Sequence, residues 1–199
     1  RIQQAAHSLI PEEERCFVHL TIGHMLLTKL PPAQQEQNIF TIVNHLNSGI
    51  EPVGKQSEKD ELARLNLIAG KKAKATMAYE QALRYLSTGV ELLGTIPDFA
   101  ATRESQMNSC WHRQYDLALD LYVETAEAAY LCTDFEKMEK LIHVVLDQAK
   151  DILDKVKVYE ITIQACIANN KSLEGVHTGL AALRLMGVKF PEKPHKLQI

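Results

Sequence analysis

Apolar residues recur along this chain at intervals of three and four, the spacing that lines one face of an α-helix. The first such run opens at Pro11-Glu12-Glu13-Glu14, a proline in a first helical turn followed by acids at the positive helix end, and stops at Pro31-Pro32. Ile39, Phe40, Ile42, Val43 and Leu46 predict a second helix, ended by Asn47-Ser48-Gly49. The stretch from Gly49 to Ser57 reads as a loop, with Pro52 and Gly54 as breakers. Leu62, Leu65 and Ala69 predict a short helix ending at Gly70. Ala75, Tyr79, Ala82, Leu83 and Leu86 then predict a long one reaching Leu93, with Gly94 as its stop.

Residues 97–110 are polar and weakly periodic, a loop or frayed helix. Helical spacing resumes from Trp111 to Leu131 and breaks at Thr133-Asp134. It continues through Phe135, Met138, Leu141, Ile142, Val145 and Leu146. Ile152 to Ala168 and Leu173 to Met186 complete the series, ended by Asn169-Asn170 and by Gly187 with Pro191. No segment alternates with the two-residue period of a strand. The expected class is all-α, about eight helices in hairpins near 11–48, 57–94, 111–150 and 152–186. Residues 1–10 read as the tail of a preceding helix or module, and 191–199 as a C-terminal linker. Beginning at Arg1 without a basic-then-apolar leader, the chain reads as a piece of a longer polypeptide.

Three of the hairpins share a turn. A small or polar break is followed two positions later by an aromatic or polar residue, then by small or apolar residues five, nine and twelve positions after the break. The sets are Gly70, Lys72, Ala75, Tyr79, Ala82; Thr133, Phe135, Met138, Ile142, Val145; and Asn170, Ser172, Gly175, Gly179, Ala182. The breaks lie 63 and 37 residues apart. This resembles the tetratricopeptide (TPR) repeat, a helix–turn–helix unit that stacks into a right-handed superhelix. Gly175 and Gly179, one turn apart, each cost about 1 kcal/mol of helix propensity against Ala, so close helix packing is the expected compensation.

Composition narrows the function classes. Of 199 residues 46% are hydrophobic and 24% charged, with a net charge of −3. That is a globular balance without the basic face of a nucleic-acid binder, and no apolar run is long enough to span a membrane. The middle section, 97–150, is acidic, with 10 acids against 5 bases. Cys16, Cys110, Cys132 and Cys166 are scattered, which fits buried reduced thiols in a cytoplasmic protein better than zinc or a redox pair.

Chemical motifs mostly fail. Gly49-Ile50-Glu51-Pro52-Val53-Gly54-Lys55-Gln56 nearly matches a phosphate-binding P-loop. Gln56 stands where Ser or Thr should hold magnesium, a helix precedes instead of a strand, and Pro52 removes a backbone donor. His19 and His24 are five apart and off one helical face, and His143 reads as partly exposed or hydrogen-bonded. With no nucleophile–base or metal spacing, no catalytic residue, cofactor, metal or nucleotide is expected here. Placing the first helix of each hairpin on a concave groove selects Asp60, Arg64, Glu127, Tyr130, Glu160 and Gln164 as partner-groove candidates. An enclosed small-molecule pocket is the alternative, with Asn66, Tyr130 and Cys166 as lining candidates.

Longer strings carry a more specific likeness. They include Val43-Asn44-His45-Leu46-Asn47-Ser48-Gly49, Leu62-Ala63-Arg64-Leu65-Asn66-Leu67-Ile68-Ala69-Gly70-Lys71-Lys72-Ala73, Glu124-Thr125-Ala126-Glu127-Ala128-Ala129-Tyr130-Leu131 and Leu153-Asp154-Lys155-Val156-Lys157-Val158-Tyr159-Glu160. Together they resemble the helical region of very large bacterial signalling proteins that combine a serine/threonine kinase, an AAA-like (STAND-type) ATPase, a GAF sensor and often a histidine kinase. The resemblance implies a connector between the ATPase and GAF modules that scaffolds contacts with other domains or a partner protein. It carries over no catalytic residue. Residues 95–110 look like an insertion relative to that family.

Overall fold

The structure, a computed structural model, describes residues 11–49, 54–94 and 109–188. The expected tail at 1–10, the linker at 191–199, half of the P-loop-like string and nearly all of the 95–110 insertion lie outside the described residues.

The described residues form helices and connecting turns, with no strand among them. In chain order the helices are α1 (Glu12–Lys29), α2 (Pro32–Gln37), α3 (Ile39–Ser48), α4 (Gln56–Ala75), α5 (Tyr79–Leu93), α6 (Cys110–Arg113), α7 (Tyr115–Leu131), α8 (Phe135–Gln148), α9 (Val156–Ala168) and α10 (Ser172–Leu185). They divide into two compact units, Arg1–Leu121 and Tyr122–Ile199, with the division inside α7.

Three hairpin turns have one geometry. Met77, Thr133 and Asn170 adopt left-handed backbone, with φ of 61°, 60° and 59°. At each, the next residue's N–H reaches back five positions: Ala78 to Ala73, Asp134 to Ala129 and Lys171 to Cys166. The left-handed residue itself bonds three back, to Lys74, Tyr130 and Ile167. This is the Schellman arrangement, which satisfies the last carbonyls of a helix.

The first turn corrects the sequence reading. The break falls at Met77, seven residues beyond Gly70, and α4 runs unbroken through Gly70. The aligned set is therefore Met77, Tyr79, Ala82, Leu86 and Gly89, and the first interval between breaks shortens from 63 residues to 56. Gly70 is a contact position: a Cβ there would collide with the Leu86 side chain, itself wholly buried. The same pairing recurs one hairpin earlier, where a Cβ on Gly23 would sit 2.5 Å from Leu46 Cδ2. In the last hairpin the sizes are exchanged, with Ile163 on the first helix facing Gly179 on the second.

Other boundaries differ in detail. The predicted helix after Pro31 divides at Asn38 into α2 and α3. The predicted helix from Trp111 divides at Gln114, whose backbone (φ −140°, ψ 57°) is not helical. Leu153–Lys155 form a 3-10 turn before α9.

In the first unit the α3–α4–α5 core is Ile42, Val43, Leu46, Ala63, Ala69, Leu86 and Leu93. Polar clasps fix its register. Asn47 and Asn66 exchange two side-chain hydrogen bonds of 2.9 Å, and Tyr85 Oη bonds Asn44 Oδ1 at 2.9 Å while its ring stacks on Phe40. Of the four cysteines, only Cys110 is fully buried, and burial raises its thiol pKa. Cys16, Cys132 and Cys166 are half-buried, and all four are free.

Candidate functional site

The six groove candidates fall in both units, Asp60 and Arg64 in the first and Glu127, Tyr130, Glu160 and Gln164 in the second. Asp60, on α4, is withdrawn: its side chain is 8% exposed and receives Arg113 Nε at 3.0 Å and Nη2 at 2.9 Å. Gln56 Nε2 adds a bond to Asp60 Oδ1 at 2.9 Å and another to the Leu92 carbonyl at 3.1 Å. Burial alone would raise the Asp60 carboxyl. The hydrogen bonds from Arg113 and Gln56 and the charges of Arg113 and Arg64 outweigh it, holding the pKa below the ordinary value. Asp60 therefore clasps the start of α4 and the end of α5 to α6. The side chain that spoils the P-loop match, Gln56, belongs to the same clasp. Arg64 is exposed and pairs with Glu61 of its own helix, at 3.8 Å.

In the second unit the candidates do converge. Glu127 on α7 and Glu160 on α9 both bind Lys157 Nζ at 3.2 Å, and Gln164 Nε2 donates to Glu160 Oε1 at 3.2 Å. Desolvation would lower the Lys157 pKa, and its bonds to Glu160 and Glu127 reverse that and raise it. Lys157 was not among the sequence candidates. Its place three residues before Glu160, on the same helical face, was the available signal. Tyr130 is half-buried near the end of α7.

Another face of the second unit holds a cavity of about 490 Å³ between α8, α9 and α10. Its apolar lining includes Met138, Ile142 and Leu146 of α8 and Ala165 of α9. Exposed Glu139, His143, Lys171 and Glu174 stand among its polar residues. Cys166 lines it, as the alternative reading expected. Asn66 is instead engaged with Asn47 in the first unit, and Tyr130 is not part of the lining.

The cavity coincides with a small residue at a shared register position. Eight residues after the left-handed turn, α5 carries Tyr85, which stacks on Phe40 and bonds to Asn44 of α3. The same position on α10 is Thr178, in the cavity lining. A short side chain there leaves space unfilled.

Among the described residues no group of three or more His, Cys, Asp or Glu side chains could hold a metal ion, and no helix is long and apolar enough to cross a membrane. His19 and His45 face each other with Nδ1 atoms 2.9 Å apart, joining α1 to α3.

No family model matches the chain, and no solved structure does. Among curated proteins it is similar to hybrid signal transduction histidine kinase G of Dictyostelium discoideum, 27% identical over 166 residues. The match covers 75% of this chain but 5% of that protein, so it concerns one small segment of a much larger signalling kinase. The expected setting was bacterial, whereas this relative is eukaryotic. The chain thus resembles part of a signal-transduction kinase.

Proposed function

We propose that this chain is a non-catalytic, TPR-like helical connector within a multidomain cytoplasmic signalling kinase, where it mediates contacts between domains or with a partner protein. The similarity to a short segment of a hybrid histidine kinase carries this reading. The repeated turn supports it, since hairpins stacked on one plan present extended surfaces and transmit strain along their length. The contact surface we assign is the Glu127–Lys157–Glu160–Gln164 face, where the ion pairs are at least part-exposed and can exchange partners.

The test is Lys157→Glu in the full-length kinase. Autophosphorylation is expected to change by roughly fivefold or more, the range of a modest coupling energy, while the helical circular dichroism of the 199-residue chain stays unaltered. Unchanged kinase activity, with no loss of a bound partner, would count against a connector acting through this face. ATP turnover by the chain alone would overturn its non-catalytic assignment.

A second reading, an effector-binding module controlling the adjacent catalytic modules, is favoured by one observation. The cavity of about 490 Å³ falls within the size range of small-molecule sites.

A further inference from the structure

The chemistry of the cavity follows from where its hydrogens already point. Thr162 Oγ1 donates to the Val158 carbonyl at 2.8 Å, and Thr178 Oγ1 donates to the Glu174 carbonyl at 3.0 Å. Asn169 Nδ2 donates to the Ala165 carbonyl at 3.0 Å. A hydroxyl has one hydrogen, so both threonines retain only lone pairs, and Asn169 retains its carbonyl oxygen as an acceptor together with its second N–H.

The charged groups point the same way. Lys171, the one lysine or arginine of the lining, is 3.5 Å from Glu174, with which it forms an exposed ion pair. Glu139 has neither an ion pair nor a hydrogen bond among the described residues, and a carboxylate only accepts. The Glu139, Thr162, Thr178 and Asn169 side of the wall therefore offers acceptors, with the Tyr159 hydroxyl and the His143 ring as further polar groups, beside an apolar lining of Met138, Ile142 and Leu146. Tyr159 adds an aromatic ring, whose face attracts a cation.

We propose that this cavity binds a small organic cation, an ammonium or guanidinium group carried on an apolar body. The cationic head meets the Glu139 carboxylate and the free lone pairs of Thr162, Thr178 and Asn169, and the body lies against Met138 and Ile142. An anion would meet the Glu139 carboxylate and the threonine lone pairs, and a neutral apolar molecule would leave Glu139 without compensation. The proposal rests on the effector-pocket reading and is independent of the Lys157 face, so either can fail without the other.

Calorimetric titration of the 199-residue chain with three probes of similar shape tests it. The probes are 2-phenylethylamine, 2-phenylethanol and 3-phenylpropanoate. The amine is expected to bind saturably, with the alcohol and the acid about tenfold weaker or more, the worth of one charge-assisted hydrogen bond. Glu139→Gln, at an exposed position, is expected to weaken the amine about tenfold for the same reason. Thr178→Tyr, restoring the bulk that α5 carries at this register, is expected to abolish binding. Thermal unfolding of both variants verifies that they fold.

Equal affinity for the acid or the alcohol would overturn the cation assignment. Amine binding that survives both substitutions would place it elsewhere on the protein. No amine binding, with a lysine-bearing peptide captured in a Glu139-dependent way, would overturn the small-molecule ligand in favour of a docked basic segment. No binding of either would overturn the site.

Discussion

Glycine has two opposite uses in this chain, and the sequence does not separate them. Gly70 follows an apolar run and precedes two lysines, so it reads as a helix stop. In the structure it lies inside α4, beneath Leu86, where any Cβ would collide. Gly179 reads as a close-packing residue, yet a Cβ there would rest 3.5 Å from Ile163 Cδ1, an ordinary contact. The two alanine variants should therefore differ in sign. Gly70→Ala is expected to destabilise by about 1–2 kcal/mol, overpacking outweighing the gain in helix propensity. Gly179→Ala is expected to stabilise by up to about 1 kcal/mol, the propensity gain with little opposing it. Denaturant titration of both checks this, and two destabilised variants would mean that Gly179 is packed more tightly than its contacts indicate.

Asp60 poses a second question at this scale, because its role reverses between sequence and structure. Read as a groove residue, it is instead the acceptor that holds Arg113 and Gln56. Its folded pKa is depressed, so its contribution is complete above the unfolded value of about 3.9 and is lost as pH falls through the lower folded value. Asp60→Asn is expected to lower stability at pH 7 by about 2 kcal/mol, less than breaking a fully buried pair costs, because Arg113 keeps access to water. It should also flatten the acid side of the stability profile below about pH 4. A variant that keeps the acid slope of the parent protein would show that another carboxylate sets it. The missed partner, Arg113, lies 53 residues away beyond a stretch of weak periodicity, and no local pattern could have named it.

At the scale of elements, the turns organise the chain. Thr133-Asp134-Phe135 was legible because a polar pair breaks an apolar run, and Asn170 for the same reason. Met77 was not, since methionine favours helices and is costly in the left-handed region. Here it is forced there, 75% exposed, by a helix that has to end before Tyr79 begins the next. Met77→Gly should therefore stabilise the hairpin by about 0.5–1 kcal/mol, since relief of the left-handed strain exceeds the added freedom of the unfolded chain. Met77→Val should destabilise it, a β-branched residue being least tolerated there. Thermal unfolding that ranks Val above Gly would contradict this account of the turn. The network on α7 and α9 was half legible by the same logic: helical spacing finds which residues share a face, but only packing decides that Glu127 and Glu160 meet at Lys157.

At the scale of the whole molecule, the fold class follows from periodicity alone, whereas the cavity does not: its lining comes from three helices, with Thr178 at the position where α5 carries Tyr85. The division into two units has a consequence for stability. With the described helices divided between two compact units, damage inside one should spread locally and not globally. Gly70→Ala acts between α4 and α5, inside the first unit. In native-state hydrogen exchange it is expected to lower protection by about five- to thirtyfold in α4 and α5, the equivalent of its cost in stability. Amides of α9 and α10, in the second unit, should keep theirs. Uniform loss of protection through α10 would mean that the chain opens as one cooperative body, and that the helix crossing the division, α7, couples the units as strongly as contacts within them.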